Sequence, residues 1–282
     1  MPAGGARLNG VRSAVVGHVE WVRFAQVERL PCPGEIVHAV DWWEEAAGGG
    51  AVAAVELARL GEEAQLFTAL GDDDLGARAR ERLEDLGVEV LATVRPAPQR
   101  TAFTFVDADG ERTITVMGER MVPAGADPLP WESLEETDAV YFTGGDGGAL
   151  LHARRARALV ATPRAGRVLL DPGISLDALV GSGADPGERL PRSPDPLPRV
   201  TVATLGAEGG RFSRADGSAG VFAPAARSGP TVDAYGAGDC FAAGLTHALG
   251  RGQGLAESLA LAARCGADCL TRRGPYGDRP TR

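Results

Sequence analysis

The sequence predicts an α/β fold: a central, mostly parallel sheet flanked by helices on both faces, with a small β-sheet standing off it. Two observations carry this. Short continuous apolar runs of strand length alternate with amphipathic helical patterns, as in βαβ units whose strands are buried on both faces. Two other regions alternate apolar and polar residues instead, which marks half-exposed strands. No domain-scale linker interrupts the chain, so residues 1–282 read as one domain.

In chain order, Ser13–Gly17 is the first buried strand and Gly50–Leu60 the first helix. Gln65–Leu70 follows as a strand. The next helix takes Asp72 as N-cap, lines up Leu75, Ala79, Leu83 and Leu86 on one face, and stops at Gly87. Gly34–Trp43, and Thr101–Val106 with Arg112–Met117, supply the small sheet, and Asp107–Gly110 is a strong hairpin turn. This sheet, over about residues 19–45 and 100–118, has a face that must cover a substrate or a second subunit. Ala139–Phe142 and Arg167–Leu170 read as strands on either side of a helix over Ala149–Leu159. Pro172–Arg199 reads as a long irregular loop. Strand Val200–Thr204 and helices Gly238–Leu249 and Leu255–Leu270 complete the pattern.

Composition excludes several function classes. The net charge of −9 argues against nucleic acid or an anionic membrane as partner, and no apolar run is long enough to span a bilayer. Met1–Arg7 lacks the apolar core of a secretion signal, so Cys32, Cys240, Cys265 and Cys269 are expected as reduced thiols of a cytoplasmic protein. All 29 basic residues are arginine, which excludes a Walker-A lysine and a Schiff-base lysine. The single asparagine is Asn9. Gly144–Gly148 lacks dinucleotide-loop spacing, and no Gly-x-Ser-x-Gly elbow exists.

The chemistry concentrates in Asp233-Ala-Tyr-Gly-Ala-Gly-Asp-Cys-Phe-Ala-Ala-Gly244. Gly236, Ala237 and Gly238 are three small residues directly before an apolar helix. There the backbone can approach a ligand closely, and the helix N-terminus offers free N–H groups and partial positive charge. That is an anion site. Asp239, in the first helical turn, reaches the same space and is placed to take a proton. The bland alternative is a helix start that Asp239 merely stabilises.

This segment resembles the C-terminal signature of the ribokinase-like (PfkB) carbohydrate kinases. Further segments are similar in the expected order: Ala47–Gly61 with its glycine run, Phe67–Gly76, Leu169–Pro172, and Thr204–Gly210. The resemblance implies an ATP-dependent kinase in which Gly236, Ala237 and Gly238 form the anion hole and Asp239 is the catalytic base. It further implies ATP across Thr204, Gly206, Gly209 and Asp233, with Asp233 ordering its loop. Substrate would lie beside Gly48, Gly49 and Gly50 beneath the small sheet, which becomes a lid. It implies Mg²⁺, for which Asp171 is a candidate contact with Glu188 a second, a monovalent cation in some members, and a homodimer joined through the lid strands.

Three departures qualify the resemblance. The family's sugar-binding aspartate and asparagine fall on Val22 and Val52, so an acceptor less hydroxylated than ribose, or one with an apolar part, is expected. Trp21, Trp42, Trp43 and Phe103 either stack on it or pack the lid. Arg100 or Arg112 would meet an anionic acceptor, or else are solvated. The family's Asn-x-x-Glu motif is missing between Pro172 and Ala203, where Glu188 is the only glutamate. That keeps a second reading open, a catalytically impaired nucleotide- or metabolite-binding member of the same fold.

Overall fold

The computed structural model describes residues 10–61, 63–170 and 173–277. The chain opens with β1 (Arg12–Val16), β2 (Glu20–Gln26) and β3 (Asp41–Ala47), followed by α1 (Gly49–Leu60), β4 (Glu63–Gly71), α2 (Asp74–Asp85) and β5 (Glu89–Arg95). A hairpin of β6 (Thr101–Val106) and β7 (Arg112–Met117) comes next. Then come β8 (Ala139–Phe142), α3 (Gly147–Ala153), β9 (Ala158–Ala161), β10 (Ala178–Ser182), β11 (Val200–Thr204), β12 (Gly210–Arg214) and β13 (Ala219–Phe222). Helices α4 (Ala237–Gly250) and α5 (Leu255–Cys269) close the described chain.

Nine strands pair in the order β13-β12-β11-β10-β9-β8-β1-β4-β5. From β11 to β5 every pairing is parallel, while β12 and β13 extend the edge as antiparallel strands. One face is covered by α1, α4 and α5, whose Val55, Leu57, Leu245 and Leu259 join a continuous core. Small residues bring α4 and α5 close together: a Cβ at Gly244 would stand 2.8 Å from Cys265 Sγ. The opposite face is covered by α3 and short 3₁₀ segments, with Trp131 stacked on Phe67 at 5.0 Å. Each fully buried Leu or Phe in these layers contributes roughly 1.5–3 kcal/mol.

The lid is a four-stranded sheet in the order β3-β2-β6-β7, with β2 and β6 parallel and the outer pairs antiparallel. Cross-strand register puts Trp43, Phe24, Thr104 and Ile114 on one face. That face looks onto the loop before α4: Phe24 stacks on Trp43 at 4.9 Å and meets Tyr235 edge-on at 5.0 Å. Two polar ties hold the lid to the main body. Arg82 of α2 grips Glu45 with two 2.8 Å bonds. The buried Gln99 accepts from Gly71 N–H at 2.9 Å and donates to Val19 O at 2.8 Å.

Several expected elements differ. Arg167–Leu170 is the end of a 3₁₀ segment, Pro163–Leu170, and buries Leu169 and Leu170 from a turn rather than a strand. The helix expected over Ala149–Leu159 ends at Ala153, and Ala158–Ala161 becomes a strand between β8 and β10. The Pro172–Arg199 loop contains β10 and a 3₁₀ turn, Pro186–Glu188. The lid strand expected over Gly34–Trp43 starts only at Asp41. The cap of α2 is Asp73, whose side chain accepts from Gly76 N–H, instead of Asp72.

Candidate functional site

The site lies at the C-terminal ends of the parallel strands, where loops converge on the start of α4. Gly236 is the N-cap there, in the left-handed region at φ +81°, a conformation that favours glycine. A side chain would also be blocked, because Val52 Cγ1 stands 2.8 Å from where its Cβ would be. No side chain caps the helix, and Cys240 N–H is the first amide bonded, to Gly236 O at 2.9 Å. The amides of Ala237 and Gly238 precede that first bond, and a Cβ built on Gly238 has open space around it. Free donors, clearance and a helix dipole together suit a phosphate-sized anion.

Asp239 follows in the first turn, half-buried. Burial first, and then the charge of Glu188, raise its carboxyl to about 6, with Arg112 and Arg164 opposing. A carboxylate with that affinity is ionised near neutral pH yet basic enough to take a proton. The glycine run reaches it directly. A Cβ on Gly49 would lie 2.9 Å from Asp239 Oδ1 and 3.3 Å from Thr143 Oγ1. Gly48 N–H donates to the Tyr235 hydroxyl at 3.2 Å, which fastens the glycine run to the loop before α4. At Gly50 the backbone of His18 crowds in, with its carbonyl oxygen 2.6 Å from a would-be Cβ.

Asp233 is buried, and both of its oxygens are occupied: Oδ1 accepts from Tyr235 N–H at 2.8 Å and Oδ2 from Gly274 N–H at 3.0 Å. Burial raises its pKa. Its place is one of loop ordering. Thr204 ends β11, and Gly206 and Gly209 follow at φ +59° and +80° in the turn leading to β12. This turn reaches α4 through Phe222, whose ring lies 5.7 Å from that of Phe241. Asp171 lies outside the described residues. Among the described residues no cluster of three or more His, Cys, Asp or Glu could hold a metal.

Glu188, the second candidate for a Mg²⁺ contact, lies close enough to the site for its charge to be felt there. It accepts from Ser182 N–H and from Arg164 Nε, each at 2.7 Å, and its charge acts on both Asp239 and Tyr141. Val22 and Val52 are buried apolar positions. Trp21 lies under Arg78 at 4.3 Å and Trp43 packs on Phe24, so both build the lid, while Trp42 is largely exposed. Arg112 reaches across from the lid and donates to Ala234 O at 3.1 Å.

A polar group that no motif announced sits beside the glycine run. Arg120 Nη2 lies 2.9 Å from His18 Nδ1 and donates to Thr143 O at 2.7 Å, and Nη1 donates to Arg164 O at 2.8 Å. Arg100 Nε lies 2.9 Å from Glu20 Oε1. Burial, then Arg120, Arg100 and Arg164, hold His18 well below its usual range, so it is neutral and accepts from Arg120 through Nδ1. These residues come from the β1–β2 connection and the start of β2, the segments before β6 and after β7, the residue after β8 and the 3₁₀ segment Pro163–Leu170. Only the fold brings them together.

A family model described as pfkB family carbohydrate kinase matches residues 12–179 and 176–282. An ATP-dependent ribose-1-phosphate kinase of Halopiger xanaduensis is 29% identical, over 94% of this chain and 93% of its own length. A fructokinase of Klebsiella pneumoniae is 32% identical, over 88% and 91% respectively. Among solved structures, Arabidopsis thaliana ribokinase complexed with ribose and ATP superposes with a TM-score of 0.73 at 21% identity, covering 94% of both chains.

Proposed function

The chain belongs to the pfkB family of carbohydrate kinases, and from that premise we propose that it moves the γ-phosphoryl group of ATP onto a hydroxyl of a small sugar-like or nucleoside-like acceptor, with Asp239 as base. The observation that carries this is the adjacency of unbonded amides at the start of α4 and a carboxylate whose pKa is raised to about 6. The acceptor O–H gives its proton to Asp239. A bond forms between that oxygen and Pγ, the bond from Pγ to the bridging oxygen breaks, and ADP leaves. The amides of Ala237 and Gly238, behind Gly236, meet the charge spread over the transferring group. ATP lies across Thr204, Gly206 and Gly209, and the acceptor beside Gly48, Gly49 and Gly50 under the lid.

Mg²⁺ would neutralise phosphate charge. With no metal-binding cluster among the described residues, the phosphates and water supply most of its ligands, and Glu188, whose charge acts on Asp239, is a carboxylate that could help. A monovalent cation would lie against backbone oxygens near Asp233, which comparing turnover in potassium and in tetramethylammonium salts checks. Buried free thiols at Cys240, Cys265 and Cys269 suit a reducing cytoplasm. On the lid face turned away from the loop before α4, the exposed Trp42 and Met117 suit a second copy of the chain, and sedimentation of wild type against Trp42→Glu tests that dimer.

The test of the activity is ADP release across sugars and nucleosides. Turnover that falls at least ~10²-fold in Asp239→Asn with ATP binding intact supports the assignment. Unchanged turnover would remove it. The second reading, a nucleotide-binding protein without turnover, rests on the missing Asn-x-x-Glu and predicts ATP binding with no ADP release for any acceptor.

A further inference from the structure

Among the described residues, Arg120 has no carboxylate in direct contact with its guanidinium. Among the described residues, Arg100 is paired with Glu20, and Arg164 with Glu188 and Asp185, whereas the partners of Arg120 are two backbone carbonyls and a neutral imidazole. Its Nε is buried with no partner at all. Arg100 and Arg164 are close enough to repel it, and Glu20, already paired with Arg100, offsets part of that repulsion without touching it. A half-buried cation with no carboxylate in contact is less stable than a paired one, the more so when like charges lie near it. The arrangement makes sense as one completed by an anion.

The position of the charge says which anion. Arg120 bonds the carbonyl of Thr143, whose Oγ1 is beside Gly49, the residue that also abuts Asp239. Gly48 packs on the His18 ring and on Glu20, and Gly144 on the Arg120 guanidinium. The cationic group therefore sits on the acceptor side, across the glycine run from the base. At the same time two positions that serve a neutral polyol in the family are the buried Val22 and Val52.

We infer that the acceptor carries an oxyanion, a carboxylate or a phosphate ester, which Arg120 grips together with Arg100 and His18 while another of its hydroxyls faces Asp239. This deepens the kinase reading above and rests on it for the role of that hydroxyl. Arginine, with a planar fork of donors, suits either oxyanion.

The test offers matched sets: D-ribose, D-ribonate and D-ribose 5-phosphate, and the corresponding gluco compounds. Binding of each is read by isothermal titration, with and without a non-hydrolysable ATP analogue, and ADP release is read separately. The anionic members of a set should bind about 10- to 100-fold more tightly than the neutral sugar, the worth of a charged hydrogen-bond pair. The carboxylate and phosphate arms identify the oxyanion. Arg120→Gln should erase that preference, and Arg120→Lys, which keeps the charge, should restore part of it. Neutral sugars binding as tightly as both anions, or an anion preference that survives Arg120→Gln, would overturn the inference. Turnover of neutral sugars without anion preference would leave the kinase reading standing and sink only this one. Anion preference without any nucleotide binding would do the reverse.

Discussion

Gly49 and Asp239 face each other so closely that a methyl group on Gly49 would stand 2.9 Å from the Asp239 Oδ1 atom. The glycine is clearance for the base and for whatever the base deprotonates. Gly49→Ala adds a residue that helices favour at the first position of α1, so stability should change by less than about 1 kcal/mol. The carboxylate is the mobile partner and would swing aside. The expected outcome is a fall of at least ~10-fold in kcat with an unaltered melting temperature, since a displaced base loses most of its worth. A variant that melts early, or one that keeps full activity, would contradict it.

The raised pKa of Asp239 has two consequences of opposite sign. For activity, kcat/KM should fall about tenfold per pH unit below about 6, as the base becomes protonated. For stability, the folded chain holds this proton more tightly than the unfolded chain does. Its contribution is therefore favourable at low pH, declines between about 4 and 6, and is absent above. Asp239→Asn should then raise the melting temperature by a few degrees at pH 8 and hardly at all at pH 4.5. After allowance for partial solvent access this corresponds to about 1–3 kcal/mol. Equal effects at both pH values would mean that the side chain matters by packing, not charge.

Much of the site was readable because its chemistry is local. Gly236 to Asp239 lie in one helix start, and the free amides follow from that start alone. Strands β1, β4, β8 and β11 and the β6–β7 hairpin were equally plain, being continuous apolar runs or strict alternation. Two of the errors share one cause. Ala158–Ala161 and Val168–Leu170 are four- and three-residue apolar runs, too short for periodicity to separate strand from turn, and tertiary packing decided each of them. The His18–Arg120 contact spans 102 positions and had no signal of any kind. Glu188 was legible only as a second Mg²⁺ candidate, and its action on Asp239 was not, because it reaches the site through a 3₁₀ turn and an ion pair with Arg164 that its neighbours in sequence do not announce.

Glu188 offers a separate lever on the base. Its charge is the largest cause, after burial, of the raised Asp239 pKa. Glu188→Gln keeps the bonds to Ser182 N–H and its shape, but removes that charge. The acidic limb of the pH–rate profile should therefore move to lower pH. An unmoved limb would mean that solvent screens the two carboxylates from each other.

Gln99 is where the lid joins the main sheet. Its side chain closes two backbone orphans at once, the amide of Gly71 at the end of β4 and the carbonyl of Val19 just before β2, and it is 3% exposed. Gln99→Ala leaves both groups buried and unpaired, at about 1–3 kcal/mol each before relaxation. Water entering the vacated volume would recover part of this, so a net loss of about 2–4 kcal/mol is expected from urea unfolding. Gln99→Glu keeps the acceptor for Gly71 but cannot donate to Val19 while ionised. It should be destabilising at pH 8 and recover as the carboxyl protonates at lower pH. If Gln99→Ala proves as stable as wild type, the lid is held by Phe24, Trp43 and the Glu45–Arg82 pair instead.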